Sequence, residues 1–430
     1  MSDSCWLRLR IGLIVSVTSA LILLPFNPLG DDVTRLNLAR EIANGNWPES
    51  KYSMLLPAFA SVLIKSGRFI GAETLLVGML IPALLAVATI TLSSLKRNSD
   101  ARTSFLTAAF CMLSLAGAYA GGLSSDLFSA CLVAIGMSLA IDNTDTRKNN
   151  YAGMAMTVIG VANSPILLIP ITVISLFDVY RRRQWTFLAI PLMSVVLIAG
   201  EASITSGSMQ LTKYGSESGA ENLLPWGVVE NFGYPTLFGS TAVLFSLGRG
   251  IVFYIPAIWF MMSVSPSRHS GISHRISLSM LILVPVYGSW WAWYGGVTFG
   301  PRFFLLLALS VAPVAARVLA GQLSPAQRVA GVSAVLIGSW VAAAGVVFGV
   351  TPAAFDLCVA EGFRFEPMCW YSAEYSSLLA PLWDRRFGVG IYEAFVIVLF
   401  ISWGLVAVFA VFGQSVALPR FTLRRRASNQ

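Results

Sequence analysis

Asp31 and Asp32 stand side by side just after an apolar N-terminal run, in the segment Gly30-Asp31-Asp32-Val33-Thr34-Arg35. Val33, Leu36, Ala39, Ile42 and Ala43 recur at helical spacing, so 33–43 is expected to be an amphipathic helix on a membrane surface, stopped by Gly45. One aspartate ahead of such a run explains a helix cap; the second is surplus to a cap. Paired carboxylates can do acid–base work, or hold a divalent cation, for which no convincing third ligand is in view. Two arginines invite the same question. Arg302 ends Tyr294-Gly295-Gly296-Val297-Thr298-Phe299-Gly300-Pro301-Arg302, preceded by Trp290-Trp291-Ala292-Trp293, and opens an apolar run with no further charge before Arg317. Arg249 lies in Phe245-Ser246-Leu247-Gly248-Arg249-Gly250, with glycines that allow close approach. Either arginine alone also reads as a side chain snorkelling to an interface, and the aromatics as an interfacial belt.

The elements that must position these residues follow from composition. Of 430 residues, 56% are hydrophobic and 12% charged, about half the roughly 25% charge of soluble domains. Such a chain cannot cover a soluble surface, but it suits one that meets lipid. Apolar runs at 9–27, 70–95, 103–119, 123–141, 185–205, 243–264, 276–293, 302–320, 329–350 and 389–413 are each expected to cross the bilayer. The run 151–180 reads as a hairpin of two short helices broken at Asn163-Ser164-Pro165, since proline disfavours helix in the residue before it. That makes about twelve spans in an all-α transmembrane bundle, one domain over 1–430. The N-terminal run resembles a signal peptide, but no small-residue cleavage site follows, so it is read as an uncleaved span. The stretch 52–67, with Pro57 and Lys65, is expected to be interfacial or re-entrant on the outer surface.

With the N-terminus inside, 18 of the 29 basic residues lie on the cytoplasmic side and 16 of the 21 acidic ones outside, as the positive-inside rule asks. The net charge of +8 is therefore a topology signal, not a nucleic-acid surface. Both termini are expected in the cytoplasm, with a basic tail at 414–430 and long outer loops at 28–69, 206–242 and 351–388. Chemistry belongs on the outer face. Cys358 and Cys369 share the last outer loop, where a bridge and two free thiols are both open readings. Only His269 and His274 represent histidine, and no His/Cys metal cluster is evident.

The first span, the Asp31-Asp32 pair, the amphipathic helix ending in Asn44-Gly45, the proline-bearing surface helix and the long bundle together resemble the GT-C superfamily. These are integral-membrane glycosyltransferases using polyprenyl-phosphate-linked sugars, and the likeness is to the bacterial branch of protein mannosyltransferases and aminoarabinose transferases. The segments 245–254 (FSLGRGIVFY) and 294–302 (YGGVTFGPR) are similar to ones common in that branch. A basic residue often precedes the proline near 165 there; here it is Ser164. The resemblance implies a GT-C-like helical bundle in a bacterial plasma membrane. It implies transfer of a hexose or pentose, with inversion, from polyprenyl phosphate to a glycan, lipid or protein acceptor of the cell envelope. Asp31 and Asp32 would be catalytic, Arg302 and Arg249 would bind the donor phosphate, and Arg35, Tyr294 and Trp293 would meet substrate. The sequence demands no cofactor, and a divalent cation remains compatible with it. A transporter or flippase is the rival class, and a non-catalytic assembly partner a third. Transporters need polar or broken helices near the midplane, whereas these spans are nearly free of charge there.

Overall fold

The computed structural model describes residues 1–24, 26, 31–95, 100–141, 147–206, 223–226, 228–263, 271–296, 298–349, 357, 360, 364–383 and 388–412. Cys358, the tail 414–430, and much of the loops 206–242 and 351–388 lie outside them. In order, the helices are α1 (Asp3–Leu23), α2 (Asp31–Ala43), α3 (Leu55–Ile70), α4 (Glu73–Ser93), α5 (Ala101–Met112) and α6 (Leu115–Ala118). Next come α7 (Ser125–Ile141), α8 (Arg147–Asn163), α9 (Leu168–Arg182), α10 (Ala189–Ser206), α11 (Thr236–Phe245) and α12 (Ile251–Tyr254). The last are α13 (Ile272–Met280), α14 (Leu283–Ser289), α15 (Leu305–Ala320), α16 (Pro325–Val347), α17 (Glu366–Tyr371) and α18 (Ile391–Phe412). No strand occurs among the described residues.

Six described stretches are long and apolar enough to cross a membrane: α1, α4, Trp185–Thr205, Arg302–Ala320, α16 and α18. They match six of the twelve expected spans. The other six are shorter or broken, and the breaks have local causes. In 103–119 the helix stops at Met112, and Ser114 restarts it by accepting the Ala116 N–H at 3.2 Å. In 243–264, Ile255 precedes Pro256 and takes a non-helical φ of −129°. In 276–293, Pro285 has no N–H for the Leu281 carbonyl, and α13 and α14 separate around 281–282. The break at Asn163-Ser164-Pro165 is where the sequence puts it, with α8 and α9 on either side.

Where lipid is as apolar as the side chains, helices associate through close packing and polar ties. α7 and α8 show the first. A Cβ on Gly136 would stand 2.5 Å from the Gly153 carbonyl oxygen, and one on Gly153 equally near that of Gly136. Asn163 shows the second. Its amide nitrogen donates to the Ser125 and Ser129 hydroxyls at 2.9 and 2.7 Å, and its oxygen accepts the Leu56 N–H at 3.2 Å. One side chain thus joins the starts of α3 and α7 to the end of α8. Glu201 of α10 completes the fixing of α3 by accepting the Met54 N–H at 2.7 Å and the Ser53 hydroxyl at 3.0 Å.

α15 is the axis of the bundle. It is buried along nearly its whole length and packs on α5, α7 and α13. Its 16 residues span about 24 Å at ~1.5 Å per residue, separating two arginine-rich ends. At its C-terminal end, Arg102 of α5 donates to the carbonyls of Ala410 at 2.6 Å, Val411 at 3.1 Å, Leu319 at 3.3 Å and Ala320 at 3.5 Å. The last turns of α15 and α18 leave these carbonyls without helical partners, and one guanidinium serves both helices. At its N-terminal end stands Arg302.

Candidate active site

α2 begins at Asp31, two residues before the expected start, so both aspartates lie inside its first turn. There the positive end of the helix dipole favours carboxylates. The helix buries Leu36, Ala39 and Ala43, which holds its start against the bundle. Arg35, one turn on and buried, reaches back to Asp32 Oδ1 at 3.2 Å and lies 3.9 Å from Asp31 Oδ2. Its guanidinium also sits over the Tyr52 ring, 5.0 Å from the centroid.

The remaining partners come from far along the chain. Arg302, opening the 3-10 turn Arg302–Phe304 ahead of α15, donates from Nη1 to Asp31 Oδ2 at 2.9 Å. Its Nε faces Asp126 Oδ2, in the first turn of α7, at 3.7 Å. Tyr52 donates its hydroxyl to Asp31 Oδ1 at 2.9 Å. Three carboxylates therefore surround two guanidinium groups where α2, α7 and α15 all begin. Asp31, Asp32, Arg35 and Arg302 were singled out by sequence; Asp126 and Tyr52 were not. Asp126 had one available signal, its place near the start of the apolar run 123–141, but an acid there reads as a cap. Tyr52 had none.

This environment drives the two adjacent carboxyls apart. Burial pushes Asp32 up, Arg35 and Arg302 oppose that, and Asp126 and Asp31 reinforce it, leaving the group at about 6. Burial also acts on Asp31, but the charges of Arg302 and Arg35 and the hydrogen bonds from Arg302 and Tyr52 outweigh it and hold Asp31 below the ordinary carboxylate value. One carboxylate is thus a fixed anion and its neighbour a group that exchanges protons near neutrality. Asp32 Oδ2 faces the backbone at Gly122, where a Cβ would lie 2.7 Å from it.

Arg302 and Asp126 also line a small crevice of about 10 Å³ together with Ser164, Leu167, Leu305 and Leu306. As for a divalent cation, both Asp31 oxygens and one of Asp32 are already engaged by Tyr52, Arg302 and Arg35. Among the described residues no group of three His, Cys, Asp or Glu side chains is placed to hold an ion.

The other residues named from sequence lie apart from the carboxylates. Arg249 is 2% exposed, and its guanidinium faces the carbonyls of Gly296, Thr298 and Gly300. Trp293 is buried beside Tyr234 and Tyr371, and Tyr294 stacks on Trp370 with centroids 4.7 Å apart. Cys369 is disulfide-bonded, and Cys358 lies outside the described residues.

A helical bundle with six stretches long and apolar enough to cross a membrane, and with an aspartate pair at the start of the helix after the first of them meeting an arginine at the head of a central helix, has the GT-C fold. Over 96% of its length and 77% of the neighbour's, the chain is similar to the crystal structure of ArnT from Cupriavidus metallidurans in the apo state, with a TM-score of 0.54 at 11% identity. The crystal structure of the same protein bound to undecaprenyl phosphate matches over the same shares, with a TM-score of 0.50 at 12% identity. No protein-family model matches the chain, and no curated protein matches it.

Proposed function

We propose that this protein transfers a sugar, a hexose or pentose, from a polyprenyl-phosphate donor to a hydroxyl-bearing glycan, lipid or protein acceptor. The reading places the reaction on the outer face of a bacterial plasma membrane, with both termini in the cytoplasm. One observation carries it: Asp31 and Asp32, set in unlike surroundings, meet Arg302, which bonds Asp31 and faces Asp126. The fold shared with a protein whose crystal structure holds undecaprenyl phosphate supports the same choice of donor.

In this reading the donor phosphate meets Arg302, and its isoprenoid chain extends from there into the bilayer. Asp32, ionised above about pH 6, takes the proton of the acceptor hydroxyl. The acceptor oxygen attacks the anomeric carbon as the bond from that carbon to the phosphate oxygen breaks. Displacement from the opposite face inverts the anomeric centre. Polyprenyl phosphate leaves with the extra negative charge, which Arg302 stabilises in a water-poor setting where a fixed guanidinium is most effective. Asp31 keeps Arg302 and Tyr52 in place and does not itself exchange a proton.

The test is to incubate the purified protein with a panel of radiolabelled polyprenyl-phosphate sugars and lipid-extracted acceptors. Covalent transfer by the native chain, lost in Asp32→Asn and Arg302→Gln variants that still fold, is the expected result. Full transfer by both variants removes the site assignment. Uptake of the labelled solute into vesicles without a covalent product replaces the enzyme with a transporter.

A further inference from the structure

Arg249 is the second arginine expected to meet phosphate, yet its surroundings are those of a structural core. Its Nη1 donates to the carbonyl oxygens of Thr298 and of Gly300, the latter at 3.0 Å, and its Nη2 to that of Gly296 at 3.0 Å. All three belong to the loop leading into Arg302. That loop turns through left-handed backbone at Gly295, Gly296 and Gly300, with φ of 79°, 74° and 61°, conformations that glycine adopts without a Cβ penalty. The carbonyls of Gly296, Thr298 and Gly300 all meet one guanidinium. Gly295 then passes so close to the side chain of Arg302 that a Cβ there would be 3.1 Å from Arg302 Cγ.

The other face of the guanidinium is covered. The Trp370 ring of α17 lies over it at 4.2 Å, and Tyr294, inside the same loop, stacks on that ring. The cover is itself fixed, because the Gly248 N–H donates to the Trp370 carbonyl at 2.9 Å and the Ser376 hydroxyl to that of Leu247 at 2.8 Å.

We propose that Arg249 is a positioning residue. It folds the 295–300 loop around its guanidinium and so aims Arg302 at Asp31 and Asp126, with Trp370 as its lid, and it does not touch the donor phosphate. The proposal rests on the glycosyl-transfer reading only for its catalytic consequence. Lysine cannot take the role, since a single ammonium lacks the planar fork that reaches three carbonyls and stacks on an indole. Because Arg249 acts through Arg302, its effect must vanish when Arg302 is altered; two independent phosphate ligands would instead contribute separate factors.

The experiment compares Arg249→Lys, Trp370→Ala and Arg302→Lys, singly and with each of the first two added to the third, in the full chain in detergent micelles. Sugar transfer and hydrogen exchange across 294–301 are both measured. Arg249→Lys and Trp370→Ala alone are expected to lower turnover by about tenfold or more, but by less than about twofold in the Arg302→Lys background. Exchange across the loop rises in both and stays unchanged in Arg302→Lys. A further full tenfold loss on adding Arg249→Lys to Arg302→Lys, or an unaltered loop exchange, overturns the brace. If Arg249→Lys does not fold, the Trp370→Ala series decides by the same two criteria. If the native chain transfers sugar from no donor, the functional reading fails, and loop exchange still decides whether Arg249 braces it.

Discussion

Arg302 and Arg102 sit at opposite ends of α15, both partly buried and both multiply bonded, yet their partners differ in kind. Arg102 faces four backbone carbonyls at the last turns of α15 and α18. Arg302 faces two carboxylates. Carbonyls do not titrate, and a guanidinium saturated by them closes off helix ends that would otherwise lack partners in lipid. Carboxylates bring charges that repel one another, hold protons and shift with each new ligand. Deeper burial of Asp32, against the Arg302 and Tyr52 hydrogen bonds that hold Asp31, is what separates the two. Buried arginine is therefore no marker of function in this molecule; what it donates to is.

The comparison breaks most visibly at Asp32. Asp32→Asn is expected to lower turnover by about 10²–10⁴-fold, the usual contribution of a general base, in a protein that still folds. The native pH profile should rise through about 6, because the required form is the carboxylate and Asp32 protonates below that value. Asp31, held lower, keeps its pair with Arg302 across that range. A profile flat between pH 5 and 7 would remove Asp32 as the base. Next is Arg302→Gln, expected to cost about 10²–10³-fold, as for loss of one preorganised oxyanion donor, read as turnover at saturating donor.

Gly122→Ala is a sharper probe, since the new methyl would press on Asp32 Oδ2 alone. Displacing a reacting group by about 1 Å can cost up to about 10²-fold, and the thermal midpoint should barely move. Equal activity would mean that the Asp32 carboxylate works from another rotamer. The smallest effect on turnover is expected at Arg102. Arg102→Gln should leave activity per folded molecule intact while lowering stability by about 2 kcal/mol, on the scale of hydrogen bonds to a charged group. Thermal unfolding in detergent would show this, and a catalytic defect there without destabilisation would erase the contrast between the two ends.

How far the sequence reveals this arrangement depends on what each residue answers to. Asp31, Asp32 and Arg302 stand out because charge beside an apolar run is rare and costly. Asp126 is hidden by resemblance to a helix cap, and Tyr52 by having no pattern around it. Arg249 is conspicuous by type, but its partners are main-chain carbonyls, which no sequence displays. The long spans follow from hydropathy, whereas the broken ones do not, because 103–119, 243–264 and 276–293 keep their apolar character while Ser114, Pro256 and Pro285 redirect the backbone. The break at Asn163 is legible from Pro165, but its purpose as a junction is not.

That junction also sets an order of assembly during synthesis. The start of α3 is bonded to Asn163, 107 residues downstream, and to Glu201, 147 residues downstream of Met54. At roughly 5–20 residues per second, α2 and α3 leave the ribosome several seconds before the side chains that hold them. In a nascent chain that ends ahead of Asn163, α2 and α3 can already tie to α4 through Arg40, Arg68 and Glu73, whereas the start of α3 still lacks its bonds to Asn163 and Glu201, so that end is fixed last.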